Sequence, residues 1–403
     1  MRIYHAIGAV ALVLIVLTGC VTQQPSAPAA AACPQLPSCP PCPVCPGEKP
    51  ILPPAKPLQP ARWNELPGWP GDDVAAALAA VLESCKPLQK QEIWRSVCGE
   101  AGNLPKGNVA ALKAFLESRF VPHRVVNPDG TTEGLITGYY EPLLKGSRDR
   151  DSNYPYAIYK TPDDLLTIEF GDLYPDLKNY RLRGRIDGRK VVPYYSRAEL
   201  SRRETELAAN AFLWVADPIE LFFLQIQGSG RVEFSDGSQV RVGYAEQNGH
   251  PYRSIGRWLA DQGELKPEQA SMDGIKAWAR ANPGRLTELL NTNPSYVFFR
   301  ELPAGSGGGP LGAQGVPLTQ GRSLAVDPRV IPLGTPVFLS TTWPNSTQSL
   351  QRLMVAQDTG GAIRGAVRAD FFWGFGADAG AQAGKMRQRG QMWALLPNGH
   401  APK

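Results

Sequence analysis

The chain has few histidines and little net charge for its length. Its 403 residues include only 4 histidines, and the formal net charge is +5. His250 has no second histidine or carboxylate at ligand spacing, so we predict no metal site and no cofactor. A weak and dispersed positive charge excludes nucleic acid as the partner but suits an anionic polymer. No histidine, cysteine or serine has an obvious triad partner, which argues against triad-type nucleophilic catalysis.

Long apolar runs are absent after residue 20, so no later segment is predicted to cross a membrane. Before that point Arg2 precedes a continuous apolar run over 6–17, and Leu17-Thr-Gly-Cys20 follows. This order resembles a bacterial lipoprotein signal (1–19) that is cleaved before Cys20, which would then be acylated. Because Val21 is not an aspartate, the resemblance implies a lipid anchor in the outer membrane, with the body facing the periplasm.

The remaining cysteines form two groups. Cys85 and Cys98 flank a helical-looking segment, and in an oxidising compartment they predict a local disulfide. The other group lies in a proline-rich stretch, where cross-linked or free thiols are favoured over a metal or iron–sulfur site. The sequence leaves the role of this group open; its members are Cys33, Cys39, Cys42 and Cys45.

The composition and hydrophobic pattern of the sequence change twice along the chain. Residues 20–64 are rich in proline, alanine and cysteine and predict an extended tether. Helical patterns follow at 72–82 and 109–120, and from about 133 short apolar runs alternate with turn residues, which indicates a mainly β body with some α. We predict strands at 134–140, 221–227, 231–234, 295–299, 336–339 and 353–357, and further helices at 196–213 and 253–261.

Two carboxylates near the C-terminus are the first candidates for acid–base chemistry. Asp358 and Asp370 each lie where an apolar run meets glycine or aromatic residues. A carboxylate at the end of a buried strand is costly without partners, which favours a chemical role over packing. A third carboxylate, Asp327, precedes Pro328 and is more typical of a turn than of a ligand contact.

Three short segments carry candidate ligand-binding side chains. Tyr139 and Tyr140 have rings suited to stacking on sugars, although such a pair is more often core. Gln225 and Gln227 are predicted to share one face of a strand, and the glycines after them would let a ligand approach the backbone or would simply form a hairpin turn. The candidate binding residues are Thr137, Gly138, Tyr139, Tyr140, Gln225, Gln227, Gly228, Ser229, Gly230 and Asp327.

Taken in order, six motifs resemble the membrane-bound lytic murein transglycosylase A family. The likeness covers roughly residues 70–395. The motifs are Gly-Tyr-Tyr-Glu-Pro at 138–142, Gln-Ile-Gln-Gly-Ser-Gly at 225–230, Asn-Gly-His-Pro-Tyr-Arg-Ser-Ile-Gly at 248–256, Asn-Pro-Ser-Tyr-Val-Phe-Phe at 293–299, Val-Pro-Leu-Thr-Gln-Gly-Arg-Ser-Leu-Ala-Val-Asp at 316–327 and Asp-Thr-Gly-Gly-Ala-Ile-Arg-Gly at 358–365.

The resemblance implies a fold of two β-rich domains with a deep groove between them. The larger would be a double-psi β-barrel, similar to expansins and family-45-type endoglucanases, formed by residues 65–146 and 288–397. The smaller would be an inserted substrate-binding domain at 147–287. The groove would hold a peptidoglycan strand, and the implied partners are glycan strands, outer-membrane lipid through acylated Cys20, and cell-wall synthesis or hydrolysis machinery.

The resemblance also implies an activity. The family cleaves the β-1,4 bond between N-acetylmuramic acid and N-acetylglucosamine and forms a 1,6-anhydromuramyl product, as an exo-acting lyase in cell-wall turnover. Its single catalytic aspartate matches Asp370, acting as acid and then as base, with Asp358 beside it. Burial against Phe371, Phe372 and Trp373, or repulsion from Asp358, would raise the pKa of Asp370. Many members carry His-Phe where this chain has Arg-Ala at 368–369.

Two other functions remain open at this stage. An inverting glycoside hydrolase on the same barrel would use Asp358 as base and Asp370 as acid. A non-catalytic, expansin-like wall-binding lipoprotein would use the same aspartates only to order a turn. Product analysis separates the first from a transglycosylase, and binding without solubilisation would indicate the second.

Overall fold

The computed structural model describes residues 54–177, 180, 182–303 and 308–400. The predictions for Cys20 and for Cys33, Cys39, Cys42 and Cys45 lie outside these residues. Over the described ranges, no helix has both the length and the apolar character needed to cross a bilayer.

In chain order the strands are β1 (Leu58–Pro60), β2 (Phe120–Val125), β3 (Gly134–Glu141), β4 (Leu143–Ser147), β5 (Tyr156–Tyr159), β6 (Leu166–Ile168), β7 (Leu182–Asp187), β8 (Lys190–Pro193), β9 (Ala211–Val215), β10 (Ser229–Glu233), β11 (Gln239–Gln247), β12 (Val297–Leu302), β13 (Ser323–Val326), β14 (Pro336–Thr342), β15 (Ser349–Asp358), β16 (Arg368–Phe375) and β17 (Arg387–Pro397). The α-helices are α1 (Leu78–Leu88), α2 (Glu92–Gly102), α3 (Val109–Arg119), α4 (Arg197–Leu200), α5 (Glu204–Leu207), α6 (Pro218–Gln227), α7 (Ile255–Asp261), α8 (Met272–Ala281), α9 (Leu286–Asn291) and α10 (Gly376–Lys385). Short 3₁₀ turns connect several of these elements.

Six strands close into a barrel in the order β17-β14-β15-β13-β16-β3, because β3 also pairs with β17. Two neighbouring pairs, β13 with β15 and β16 with β3, run parallel. Alternate residues of each strand fill the interior, as Ala369, Phe371 and Trp373 do on β16. The closed barrel confirms the fold class that the resemblance implied.

The chain between the barrel strands forms a second sheet with the order β12-β11-β10-β4-β9-β5, and a small sheet with the order β6-β7-β8. β3 of the barrel ends at Glu141 and β4 of the second sheet begins at Leu143. The buried carboxylate of Glu141 accepts hydrogen bonds from Arg231 on β10 at 3.0 Å and from Arg241 on β11 at 3.2 Å. These ion pairs fasten the end of a barrel strand to the second sheet.

The N-terminal helices pack against the barrel wall through a buried polar network. Asp72 accepts a hydrogen bond from the Leu353 amide at 2.6 Å and from the Arg322 guanidinium at 3.3 Å. Both charged side chains are almost fully buried, so each depends on the other for compensation. A disulfide between Cys85 on α1 and Cys98 on α2 joins two of these helices and confirms the predicted pairing.

The predicted strand at 221–227 is wrong, because this segment belongs to helix α6. Asp217 caps its start by accepting a hydrogen bond from the Ile219 amide at 2.8 Å, and Pro218 occupies the first helical position. Gly228 ends the helix with a positive φ of 76°. These start and stop signals determine the structure of an apolar run whose periodicity is ambiguous.

The predicted helix at 196–213 is only partly present. It breaks into the short helices α4 and α5, and Ala211–Val215 is instead strand β9, which pairs with β5. Helices α8, α9 and α10 were not predicted. The helices at 109–120 and 253–261 and the other predicted strands are confirmed within a few residues, while the one expected at 72–82 begins as a 3₁₀ turn and continues as α1.

Replacing both disulfide cysteines, Cys85→Ala with Cys98→Ala, is expected to lower the free energy of unfolding by about 3 kcal/mol. The physical reason is that the unfolded chain loses the constraint of a short closed loop. Urea unfolding followed by circular dichroism measures the change. Reduced wild-type protein is the control and should lose a similar amount, whereas a double variant as stable as the oxidised protein would contradict the expectation.

Candidate active site

Four side chains lie in one row across four neighbouring strands of the barrel. Ala325 on β13 pairs with Asp358 on β15 and, on its other side, with Asp370 on β16. Asp370 pairs in turn with Thr137 on β3. Residues that pair directly project from the same face of a sheet, and adjacent strands lie about 4.8 Å apart. The Cα atoms of Asp358 and Asp370 therefore lie roughly 10 Å apart, and the two side chains project from the same face.

A β-bulge produces this alignment. Leu324 pairs with Ala356, but the next residue, Ala325, pairs with Asp358, so Gln357 is the extra residue. In a regular ladder Gln357 would lie opposite Ala325, and Asp358 would project from the other face. The amide of Gln357 is instead buried and donates to Ala80 O at 3.0 Å and Ser84 Oγ at 2.9 Å. These bonds to helix α1 hold the bulge in place.

The face that carries the pair is the outer face of the barrel. A small apolar cluster surrounds the carboxylates there, and its members are Tyr139, Leu318, Ala325, Ile363 and Phe372. Phe371 and Trp373 instead point into the barrel core. The expectation that all three aromatic residues bury Asp370 is therefore wrong for two of them, because side chains alternate along β16.

Burial raises the pKa of Asp370 above its ordinary range, as predicted. Two neighbours oppose this shift without cancelling it: the positive charge of Arg368, and the Thr137 hydroxyl, which donates to Asp370 Oδ1 at 2.7 Å. Asp370 is mostly buried, yet part of the residue still reaches the surface of the site. A carboxyl held on one oxygen leaves its other oxygen available to a ligand.

Burial also raises the pKa of Asp358, to about 6. The backbone amides of Ala313 and Thr359 each donate to Asp358 Oδ1 at 2.9 Å and, with the nearby Tyr139 hydroxyl, act in the opposite direction. The charge of Asp370 adds a smaller upward shift. Asp358 is thus mainly ionised above about pH 6 and mainly protonated below it.

The two tyrosines predicted to act together lie on opposite sides of β3. Tyr139 packs on Phe372 with ring centroids 5.2 Å apart, and its hydroxyl is buried beside Asp358. Tyr140 lies in the barrel core, and its hydroxyl is 3.6 Å from Met272 Sδ. The stacking prediction therefore has no support at Tyr140, and at Tyr139, which is buried at 8% exposure, it stays a prediction.

The predicted binding glycines have packing roles. A Cβ at Gly138 would lie 2.6 Å from Trp373 Nε1, and one at Gly230 would lie 2.5 Å from Leu224 Cδ1. Gly228 provides the left-handed end of α6. Close packing explains Gly138 and Gly230, whereas at Gly228, where an added Cβ would meet nothing within 4 Å, the left-handed backbone explains the glycine.

The two glutamines lie on helix α6 and not on the strand face that was predicted. Gln225 is buried at 5% exposure. The side chain of Gln227 accepts a hydrogen bond from the Tyr140 amide at 3.1 Å, which links the end of α6 to strand β3. Ser229 opens strand β10 with a half-exposed side chain, so it remains a candidate for ligand contact.

Asp327 does not present its carboxylate to a ligand. It is 2% exposed and accepts hydrogen bonds from Arg329 and from the Gly365 amide. Burial alone would raise its pKa, but these bonds outweigh burial and hold the pKa at about 2. The prediction of substrate contact therefore has no support at this residue.

His250 has a structural contact, with Nε2 2.7 Å from the carbonyl oxygen of Tyr194. In the part of the chain that the structure describes, no three His, Cys, Asp or Glu side chains come together as metal ligands would. Sequence reasoning missed Ala313 and Gln357. A bulge has no sequence signal of its own, although a polar residue next to the candidate Asp358 could have drawn attention to the register.

Fold and site together define a double-psi barrel protein with an acidic pair on the outer face of its barrel. A family model described as the MltA specific insert domain matches residues 135–300, and a second, described as the 3D domain, matches residues 322–396. A crystal structure of MltA from Neisseria gonorrhoeae is 40% identical, with a TM-score of 0.74, and the match covers 86% of this chain and 94% of that one. The chain belongs to the MltA family.

Two further relatives bear on function. Membrane-bound lytic murein transglycosylase A of Escherichia coli (strain K12) is 35% identical over 267 residues, which span 64% of this chain and 65% of that protein. The aligned part is thus slightly less than two thirds of that relative's length. A crystal structure of E. coli MltA with bound chitohexaose is 26% identical, with a TM-score of 0.64, and the match covers 85% of this chain and 94% of that one.

Replacing Thr137 with valine is expected to raise the pKa of Asp370. The hydroxyl donates to the carboxylate and so favours its charged form, and valine has the same shape without the donor. NMR titration of ¹³C-labelled aspartate carboxyls measures the shift. Thr137→Ser keeps the donor and should retain the wild-type value, and an unchanged or lower pKa in Thr137→Val would contradict the assignment.

Proposed function

We propose that the protein is a lytic transglycosylase that cleaves the β-1,4 bond between N-acetylmuramic acid and N-acetylglucosamine in peptidoglycan. The observation that carries the proposal is Asp370, a mostly buried carboxyl of raised pKa that Thr137 holds on the same face as Asp358. Family membership supports the substrate class. The E. coli relative is named as a murein transglycosylase, and chitohexaose has the same β-1,4-linked amino-sugar backbone as a glycan strand.

In the first step Asp370 acts as a general acid. Its raised pKa favours the protonated form more than in an ordinary aspartate, and the proton passes to the oxygen that links the two sugars. The bond between that oxygen and C1 of N-acetylmuramic acid breaks, with both bonding electrons leaving on the oxygen. The muramyl ring is left with oxocarbenium character, and Asp370 becomes a carboxylate.

In the second step the same group acts as a base. The Asp370 carboxylate takes the proton from the C6 hydroxyl of the muramyl residue as that oxygen attacks C1. The product is a 1,6-anhydro ring, and Asp370 returns to its protonated state. Water does not enter the reaction, so no second carboxylate is required as a base or nucleophile.

Asp358 supports both steps through its charge. It is ionised above about pH 6, and a negative charge on the same face stabilises the positive charge that develops at C1. Tyr139 packs on Phe372 on the same face as the acidic pair, so the two rings would form an apolar border of the sugar site. The positive charge of Arg368 limits how far the pKa of Asp370 rises.

We place the protein, by the same proposal, in the outer membrane with its body in the periplasm. The E. coli relative is named as membrane-bound, and acylation of Cys20 would supply the anchor. Residues 147–287 would form the inserted substrate-binding domain and bound the groove for the glycan strand. Machinery for wall synthesis or hydrolysis would be the protein partner.

Digestion of purified sacculi is expected to release 1,6-anhydromuropeptides, which mass spectrometry detects. Asp370→Asn removes the proton donor and should lower the rate by at least about 100-fold while leaving binding to sacculi intact. Asp378→Asn changes an exposed aspartate on helix α10 of the same barrel and is the matched control.

Three outcomes would overturn the proposal in different ways. Products with reducing ends and no anhydro ring would indicate a hydrolase. Full activity in Asp370→Asn would move the catalytic role to another residue. Binding of sacculi by the wild-type protein without release of any fragment would indicate a wall-binding protein that is not an enzyme.

A further inference from the structure

We propose that Asp327 is a positioning residue for the acidic pair, because its carboxylate fixes the loop that joins Asp358 to Asp370. The inference rests on the proposed function and assigns a task to a buried residue that takes no part in the two proton transfers. It also replaces the substrate contact predicted for Asp327 from the sequence.

The loop at 359–367 is the only covalent connection between β15, which ends at Asp358, and β16, which carries Asp370. Gly360, Gly361 and Gly365 lie within it, and Gly365 has a φ of 103°. A segment with three glycines is pliable unless other groups hold it. The separation of the two carboxylates therefore depends on what fixes this loop.

Polar contacts from outside the loop hold its second half. The Gly365 amide donates to Asp327 Oδ2 at 2.9 Å, and the Val367 amide donates to Asn127 Oδ1 at 3.1 Å. Ile363 anchors the middle by packing in the apolar cluster around the carboxylates. Of the two acceptors, only the Asp327 carboxylate is charged. A charged acceptor forms a stronger hydrogen bond than the neutral amide oxygen of Asn127.

Arg329 holds Asp327 in the orientation that the loop requires. Its Nε donates to Asp327 Oδ1 at 2.9 Å and its Nη2 to Oδ2 at 2.6 Å, while its backbone amide also donates to Oδ1 at 3.1 Å. With the bond from Gly365, both oxygens of the buried carboxylate are occupied. A carboxylate held at both oxygens cannot rotate away from the loop.

The position of Asp327 in the chain links its contact with the loop to the acidic pair. It follows Ala325 by two residues, directly after strand β13, and Ala325 is the residue between Asp358 and Asp370 in the ladder. One short segment therefore sets the register of the pair and also holds the loop between them. Because its pKa is about 2, Asp327 is ionised near neutral pH and is not suited to donate a proton there.

Asp327→Asn is the direct test on the full-length protein. An amide places an N–H where the loop amide or Arg329 now finds an acceptor, so one of these bonds is lost. We expect kcat on glycan strands to fall by about 10- to 100-fold with KM within twofold, because a displacement near 1 Å at reacting groups has an effect of that size. Asp378→Asn again serves as the control.

The pH profile gives a readout that a purely structural defect would not move. A looser loop admits water to Asp370, which lowers its pKa, so the alkaline fall in activity should move to lower pH. The charged or titratable groups around Asp370 are Arg368 on its own strand, Asp358 on β15 and Tyr139 on β3, and none of them is changed. Arg329→Met, at a side chain 60% exposed, keeps the bond to Gly365 and should give a smaller fall in kcat in the same direction.

Several results would overturn the inference. A raised KM with unchanged kcat would return Asp327 to substrate contact, and unchanged kcat and pH profile in Asp327→Asn would limit it to stability. If this variant does not fold, unchanged kcat in Arg329→Met would contradict the proposal that Asp327, held by Arg329, positions the loop at 359–367. Should the wild-type protein release no anhydro product, the proposed function fails, but ¹³C titration of Asp370 still tests positioning: an equal pKa in both variants and in wild type would refute it.

Discussion

The site depends on one irregular pairing, in which strand β13 lies between β15 and β16 with a single extra residue on β15. The bulge at Gln357 turns Asp358 to the face that already carries Asp370. Its amide side chain is fixed to helix α1, so the N-terminal helices help to maintain the register of the barrel. A regular ladder would leave one carboxylate on each face, where the two could not act on the same sugar linkage.

Burial gives the three aspartates of this region different properties. Asp370 and Asp358 have raised pKa values because their few hydrogen bonds do not compensate for lost hydration. Asp327 is buried as well, yet its bonds to Arg329 and Gly365 hold its pKa at about 2. The number and charge of its donors, rather than depth alone, therefore separate a residue suited to proton transfer from one suited to holding a loop.

Much of the architecture was accessible from the sequence, through ordered motifs and through alternating strands such as β3 and β15. The errors fall where local signals compete. The apolar run before Gly228 fits a strand by composition, but Asp217 and Pro218 start a helix there. The segment ending at Leu213 begins as helix and finishes as strand β9, where pairing with β5 decides the outcome.

The sequence was enough to predict the charged residues of the site, but it did not predict how the side chains of the site are arranged. Asp358 and Asp370 stand out by residue type, whereas the split of Tyr139 from Tyr140 follows from alternation along β3. The inward packing of Gly138 and the bulge at Gln357 arise from contacts between distant segments, which no local pattern encodes. Resemblance to a family supplied candidates, and pairing across strands decided which of them meet.

The central claim is that the row of Thr137, Asp370 and Asp358 acts on one glycosidic bond. A crystal structure of the Asp370→Asn variant with bound chitohexaose tests it most directly. We expect the side chain at position 370 to lie about 2.6–3.2 Å from a glycosidic oxygen, with Asp358 on the same side of the adjoining sugar. Sugar bound at another face of the barrel, or with its glycosidic oxygens out of reach of position 370, would contradict the claim.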